Sequence, residues 1–237
     1  MKFLPIKARE RVWHVEPGFE EPDFVAEYSL QTGKFPVEFR PILDFLASAL
    51  DLTQPVEVLD IGPGPGWMSI LLAKTYPAAR VTGIDVSPAF VEIARENSRR
   101  EGVADRVTFA VADAEQLDGI PNQSFDAVMS NQSVHYWSAP ERVFDQMARV
   151  LKPTGVFCIS ADRRDMTWLG QLQYWLGRCS LSRRISRSWS HSVAGCLTVP
   201  EAIAAVERSQ LRHRAQVIPR HRTLQICSHG PRSQAIR

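Results

Sequence analysis

Apolar runs and amphipathic stretches alternate along this chain, and from residue 56 to residue 130 the order they predict is strand, helix, strand, helix, strand, strand. Val56–Ile61 carries Leu59 and Ile61 in a run with the apolar character of a strand covered on both faces, and Trp67–Lys74 has a helical rhythm. Arg80–Ile84 reads as the next strand. Pro88–Arg100 follows as a helix, with Ser87 as N-cap and Pro88 as first helical residue. Val107–Ala112 and Phe125–Ser130 are two further strands. Upstream, Phe39, Ile42, Leu43, Phe45, Leu46 and Leu50 give a packing face to a helix over Val37–Leu50. Downstream the pattern changes: a Trp/Leu-rich segment, an Arg/Ser-rich stretch, a helix starting at Thr198-Val-Pro-Glu, and short strands near 215–219 and 223–228.

Between the first strand and its helix stands Gly62-Pro-Gly-Pro-Gly66. Gly62, Gly64 and Gly66 let the backbone turn tightly and approach a small molecule at a helix N-terminus. The pyrophosphate fingerprint G-x-G-x-x-G fails, because its third glycine falls on Trp67 or Ser69. The triphosphate loop fails too, since no Gly-Lys-Ser/Thr follows. The second strand ends in Asp85, followed by Val86, at the spacing where open α/β folds hold the two hydroxyls of a ribose. Together these residues predict a nucleoside without a pyrophosphate.

Two more strand ends point to the same rim. Val107–Ala112 finishes at Asp113-Ala114, and Phe125–Ser130 at Asn131-Gln132. Asp and Asn often leave strands as turn formers, but four strands in register delivering polar residues to one edge mark the ligand crevice of a doubly wound sheet.

These segments resemble the class I S-adenosylmethionine-dependent methyltransferases, most closely the small-molecule, ubiquinone/menaquinone-type group. The residues that carry the resemblance are Leu-Asp-Ile-Gly-Pro-Gly-Pro-Gly (59–66), Gly-Ile-Asp-Val-Ser-Pro (83–88), Ala-Asp-Ala (112–114), Phe-Asp-Ala-Val-Met-Ser-Asn (125–131) and Arg-Val-Leu-Lys-Pro-Thr-Gly (149–155). The resemblance covers about residues 50 to 162. It implies a Rossmann-like α/β fold, doubly wound and mostly parallel, whose sheet is completed by a C-terminal antiparallel hairpin strand. It implies S-adenosyl-L-methionine held by Asp60 at the methionine end, by the turn of Gly62, Gly64 and Gly66, by Asp85 at the ribose, by Asp113 and Ala114 at the adenine, and by Val86 and Asn131. Two positions depart from the family: Pro65, which removes one loop N–H donor, and Thr154, which replaces the first glycine of a Pro-Gly-Gly turn. Three segments follow: 1–50 as an N-terminal helical lid, 51–162 as the cofactor-binding core, and 163–237 as a substrate cap with the final helix and hairpin.

Composition agrees with one large α/β domain: 237 residues, 44% hydrophobic and 23% charged. No run approaches the roughly 18 apolar residues of a membrane span. Met1–Lys7 has too short an apolar core for a secretory signal. Cys158, Cys179, Cys196 and Cys227 form no C-x-x-C pair, so a reducing cytoplasm is expected, without zinc or disulfides. His14, His191, His213, His221 and His229 show no metal-ligand spacing and read as surface residues.

The net charge of +2 hides an asymmetry. Residues 163–237 hold 13 arginines against Asp165, Glu201 and Glu207, a net of +10, and the remainder holds 15 basic and 23 acidic groups, a net of −8. The basic part either folds against the acidic part or faces an anionic substrate, an RNA or a membrane surface. Nucleic acid is disfavoured, because Ser180–Trp189 interleaves a single aromatic with its arginines.

The chemistry implied is in-line attack on a sulfonium methyl, for which the enzyme mainly holds the nucleophile close, aligned and dry. His135, just past the fourth strand, is a candidate base where the acceptor must lose a proton, with a hydrogen-bonding role as the alternative. Tyr28 is a second candidate, with packing in an amphipathic helix as its alternative. Trp168, Leu169, Leu172, Trp175 and Leu176 recur at helical spacing and either line an apolar pocket or fill a core. The expected function is methyl transfer to a small-molecule acceptor, anionic or aromatic. The rivals are a reaction other than methyl transfer on the same cofactor, and a non-catalytic subunit docking a partner through the Arg-rich tail.

Overall fold

The computed structural model describes residue 11, residues 17–33 and residues 36–229. Met1–Lys7 and His14 lie outside them. Seven strands, β1 (Val56–Ile61), β2 (Ala79–Asp85), β3 (Val107–Val111), β4 (Phe125–Asn131), β5 (Leu151–Asp162), β6 (Ala215–Pro219) and β7 (Thr223–Ser228), form one sheet in the order β3-β2-β1-β4-β5-β7-β6. β1 to β5 pair in parallel. β7 runs antiparallel to β5, and β6 antiparallel to β7. β7 is thus the reversed strand of a doubly wound sheet, as the hairpin expectation had it.

The helices are α1 (Pro22–Thr32), α2 (Arg40–Ala49), α3 (Trp67–Thr75), α4 (Pro88–Arg100), α5 (Pro140–Val150), α6 (Trp168–Arg178), α7 (Arg183–Gly195) and α8 (Val199–Glu207). Strand periodicity divides the core in two. Leu59 and Ile61 of β1 pack with Val143, Phe144 and Met147 of α5 and Ala202 of α8, whereas Val56 and Val58 pack with Ile42, Leu46, Met68 and Leu72 of α2 and α3. A third, smaller cluster joins Met166, Tyr174 and Val193, with Trp189 against it, between α6 and α7.

Local chemistry sets several ends. Ser87 Oγ accepts from Phe90 N at 3.2 Å and Pro88 opens α4, as the sequence indicated. Thr198 and Glu201 form a reciprocal capping box on α8. The upstream helix begins later than expected: Pro36–Phe39 is a 3₁₀ turn and the α-helix starts at Arg40, with Pro41 in its first turn. The third strand stops at Val111. At Thr154 the departure from Pro-Gly-Gly is absorbed inside β5, where pairing with β4 jumps from Leu151 to Val156 across an irregularity.

Two corrections concern residues 163–237. The Arg/Ser-rich stretch, not read as a helix, forms α7. Its buried face carries Ser186, Ser188 and Ser192 beside Ile185 and Val193, and Ser192 Oγ donates to Ser188 O at 3.1 Å, so serines replace the apolar signal there. The Trp/Leu segment does form α6, but Trp168 is 74%, Leu172 37% and Leu176 55% exposed. These three neither fill a core nor line the pocket.

Candidate active site

The strand ends of β1, β2 and β4 and the segment after β3 open into one pocket, where Asp60, Gly62, Gly64, Asp85, Val86, Asp113, Ala114 and Asn131 come together. Of the predicted cofactor set, Gly66 stands apart: it is the αL residue before α3, and a Cβ there would lie 2.6 Å from Phe109 Cζ. Its role is in the turn itself. Gly62 and Gly64 also have positive φ, at 68° and 52°. At Gly64 an added Cβ would meet only Phe90 Cδ1, at 4.0 Å, so this backbone is open to a ligand.

The loop is tied down by side chains. Asp85 Oδ2 accepts from Gly64 N and Oδ1 from Ser87 N, both at 3.0 Å. Asn97 Nδ2 donates to Pro65 O at 2.8 Å and to Ser29 Oγ at 3.0 Å. The proline that costs the loop a donor therefore contributes its carbonyl to an anchor. Burial raises the Asp85 carboxyl, against the lowering effect of its backbone donors.

Asp60 is fully buried. Ser69 Oγ donates to its Oδ2 at 2.6 Å, while Oδ1 has no partner among the described residues, and burial pushes the carboxyl up to about 7. Asn131 Oδ1 is likewise buried without a partner. Two orphaned acceptors in one pocket mark positions for ligand donors. Asp113 is exposed at the rim, its Oδ1 accepting from Glu115 N at 2.8 Å, and Val86 lies 60% exposed at the pocket wall.

The pocket also has an aromatic lining. Tyr28 meets Phe19 and Phe90 edge-on at 6.1 and 5.5 Å, and Phe19 meets Tyr136 at 5.1 Å. Burial, then the nearby Glu38, push the Tyr28 phenol up to about 12. His135 sits on the 3₁₀ turn Val134–Tyr136, buried, its ring 4.1 Å from that of Tyr136. Tyr174 and Trp189 line it as well, with the Arg222 guanidinium over their rings at 5.7 and 5.9 Å. Arg222 is held by Asp162, with Nε 2.8 Å from Oδ1, and by Glu38 at 3.1 Å.

Residues 59–159 match a family described as a methyltransferase domain. Trans-aconitate 2-methyltransferase of Streptomyces coelicolor is 30% identical over 169 residues, covering 71% of this chain and 53% of that protein. The 27-O-demethylrifamycin SV methyltransferase of Amycolatopsis mediterranei is 40% identical over 114 residues, covering 48% of this chain and 41% of that protein. Residues 59–159 are a methyltransferase domain, for which the expected cofactor is S-adenosylmethionine. The fold agrees: a SAM dependent methyltransferase from Aquifex aeolicus superimposes with a TM-score of 0.64 at 16% identity, covering 88% of this chain and 97% of that one. The chain spans about half or less of the length of the curated relatives named here.

The methyltransferase pocket fits this cofactor chemically. The charged side chains that line it are six carboxylates, Glu38, Asp60, Asp85, Asp113, Glu115 and Asp162, and among the described residues one cation, Arg222. Such a surround suits a ligand with an ammonium and a sulfonium, and the orphaned Asp60 and Asn131 oxygens suit its donors.

Glu38, Asp162, Tyr174, Trp189 and Arg222 were not singled out from the sequence. Asp162 had a signal, since it ends a fifth strand on the rim already counted four times. Arg222 had none: β7 reaches the site only through the reversed pairing with β5. Five of the tail's arginines are ion-paired among the described residues: Arg163 with Asp165 and Arg164 with Glu201 inside the tail, and Arg184 with Glu21, Arg208 with Glu141 and Arg222 with Asp162 outside it. His191, His213, His221 and His229 are exposed, as expected.

Proposed function

We propose that the protein transfers a methyl group from S-adenosylmethionine to a small, neutral aromatic or apolar acceptor. One observation carries this reading: the glycine loop and Asp85 open into the same pocket as the ring-lined chamber of Tyr28, Tyr136, Tyr174 and Trp189. The anionic alternative loses support, because Arg222 is already matched by Asp162 and Glu38.

The bound cofactor supplies an activated methyl on a good leaving group. The chain's own residues do the rest. Asp60, Asn131, Asp85 and the Gly64 backbone would hold the donor, with Val86, Asp113 and Ala114 lining the pocket toward its nucleoside. The ring-lined chamber positions the acceptor and excludes water. His135, in the chamber wall, takes the acceptor proton where one must leave, and Tyr28 donates a hydrogen bond, its raised pKa keeping the phenol protonated near neutral pH. Four unpaired cysteines support a reducing, cytoplasmic setting.

The test is to incubate the protein and S-adenosylmethionine with phenols, aromatic amines and small carboxylates and quantify S-adenosylhomocysteine. Turnover confined to ring-bearing acceptors supports the reading. Stoichiometric cofactor binding with no product above the acceptor-free background would overturn it.

A further inference from the structure

The α6–α7 hairpin lines the pocket with one side and turns a different chemistry outward. Tyr174 and Trp189 face the pocket. Trp168, Leu172 and Leu176, spaced four residues apart, run as a stripe along the other side of α6. Their exposures of 74%, 37% and 55% make a contiguous apolar strip, headed by a largely bare indole. Leu30 and Val37, 66% and 64% exposed, stand on elements tied to the same region, through Gln31 Oε1 accepting from Ser182 N at 2.9 Å and Glu38 on Arg222.

Cations bracket the strip. Arg178 Nε donates to Ser186 Oγ at 3.0 Å, which sets the last turn of α6 beside the first turns of α7, where Arg183 and Arg187 are exposed and carry no ion pair among the described residues. At the other end, the Thr167 hydroxyl lies 3.2 Å from His221 Nδ1, bringing the β6–β7 turn, with exposed Arg220, next to Trp168. From residue 166 to residue 200 the chain has no Asp or Glu.

We propose that this face docks peripherally on a lipid bilayer bearing anionic headgroups. An indole and two leucines enter the boundary between headgroups and acyl chains, while guanidiniums on flexible stems reach the phosphates. The charge pattern and small area select this occupant. A second copy of the chain would set arginines against arginines, and a strip of a few side chains falls well short of the roughly 20–30 residues a side of a stable protein interface. No helix among the described residues is long and apolar enough to cross a membrane, so the contact is peripheral. The proposal stands independently of the methyl-transfer reading, since its readout is binding.

The experiment is flotation of the full chain with vesicles of phosphatidylcholine, or of phosphatidylcholine and phosphatidylglycerol in about equal parts, at low and high salt. The expected result is at least about tenfold more protein on the anionic vesicles, lost at high salt. Trp168→Ser/Leu172→Ser/Leu176→Ser should abolish most of the binding while leaving the circular dichroism and S-adenosylmethionine affinity of the wild type. Arg183→Gln/Arg187→Gln should remove the salt-sensitive part, and it decides the matter alongside the wild-type salt series if the triple variant misfolds. Equal binding to both vesicles, none to either, or a wild-type dimer that the stripe variant converts to monomer would each overturn the proposal.

Discussion

The Gly64 N–H donates to Asp85 Oδ2 at 3.0 Å, so the carboxylate proposed to hold a ribose is also the clasp of the glycine loop. Ser87 N takes the other oxygen, and each oxygen keeps acceptor capacity on its pocket side. Asp85→Ala should therefore do two things. It removes a charged acceptor from the ligand, weakening S-adenosylmethionine by about 10–100-fold in calorimetry, and it frees two backbone donors, lowering the melting temperature. Asp85→Asn, which keeps one oxygen, should lie between. An alanine variant with unchanged affinity would remove Asp85 from the ribose site.

Asp60 gives a pH dependence of known sign. Its carboxyl is raised to about 7 in the folded protein from 3.8, so between those values the native state holds a proton the unfolded chain has released, and stability falls as pH rises through that window. Asp60→Asn should flatten this part of the stability profile. A cationic ligand group beside Oδ1 favours the ionised form. S-adenosylmethionine should bind more tightly as pH rises through about 7, releasing a proton below it, as seen in calorimetry across buffers of different ionisation enthalpy. Proton uptake on binding would refute the placement.

The strand-end side of this pocket was legible because its residues are local. A glycine turn, Asp85, Asp113 and Asn131 all stand at or just beyond strand ends, and parallel strands present those ends on one rim. The ring-lined side was less legible because it is assembled from distant segments. Glu38 and Arg222 are 184 residues apart in the chain, and Tyr174 and Trp189 lie on a hairpin whose second helix buries serines. Periodicity found α6 but could not tell which side would be covered: of the five residues read as pocket or core, Trp168, Leu172 and Leu176 are outside and Leu169 and Trp175 are half-buried, and the residue that does face the pocket, Tyr174, falls between them.

Arg222 ties the 3₁₀ turn at Pro36–Phe39 to the ends of β5 and β7. Arg222→Met should leave the Asp162 and Glu38 carboxylates facing each other without a counter-ion, at a cost of about 3–5 kcal/mol in denaturant unfolding. Adding Glu38→Gln should recover part of that loss, because one of the two unmatched charges is gone. Additive losses in the double variant would show that the three residues do not act as one unit.

His135 and Tyr28 share the chamber but differ in what they can do with a proton. The Tyr28 phenol, raised to about 12 by burial and Glu38, stays protonated across the working range, so it can donate a hydrogen bond but is a poor base. Tyr28→Phe should raise KM or lower kcat modestly and leave the shape of the pH–rate profile unchanged. As a base, His135 has the larger effect: its loss in His135→Ala should lower kcat by about 10²–10⁴-fold, abolish the acidic limb of the profile and spare cofactor affinity. A loss below tenfold with an intact acidic limb would leave His135 a packing partner of Tyr136, and methyl transfer here would then rest on positioning alone.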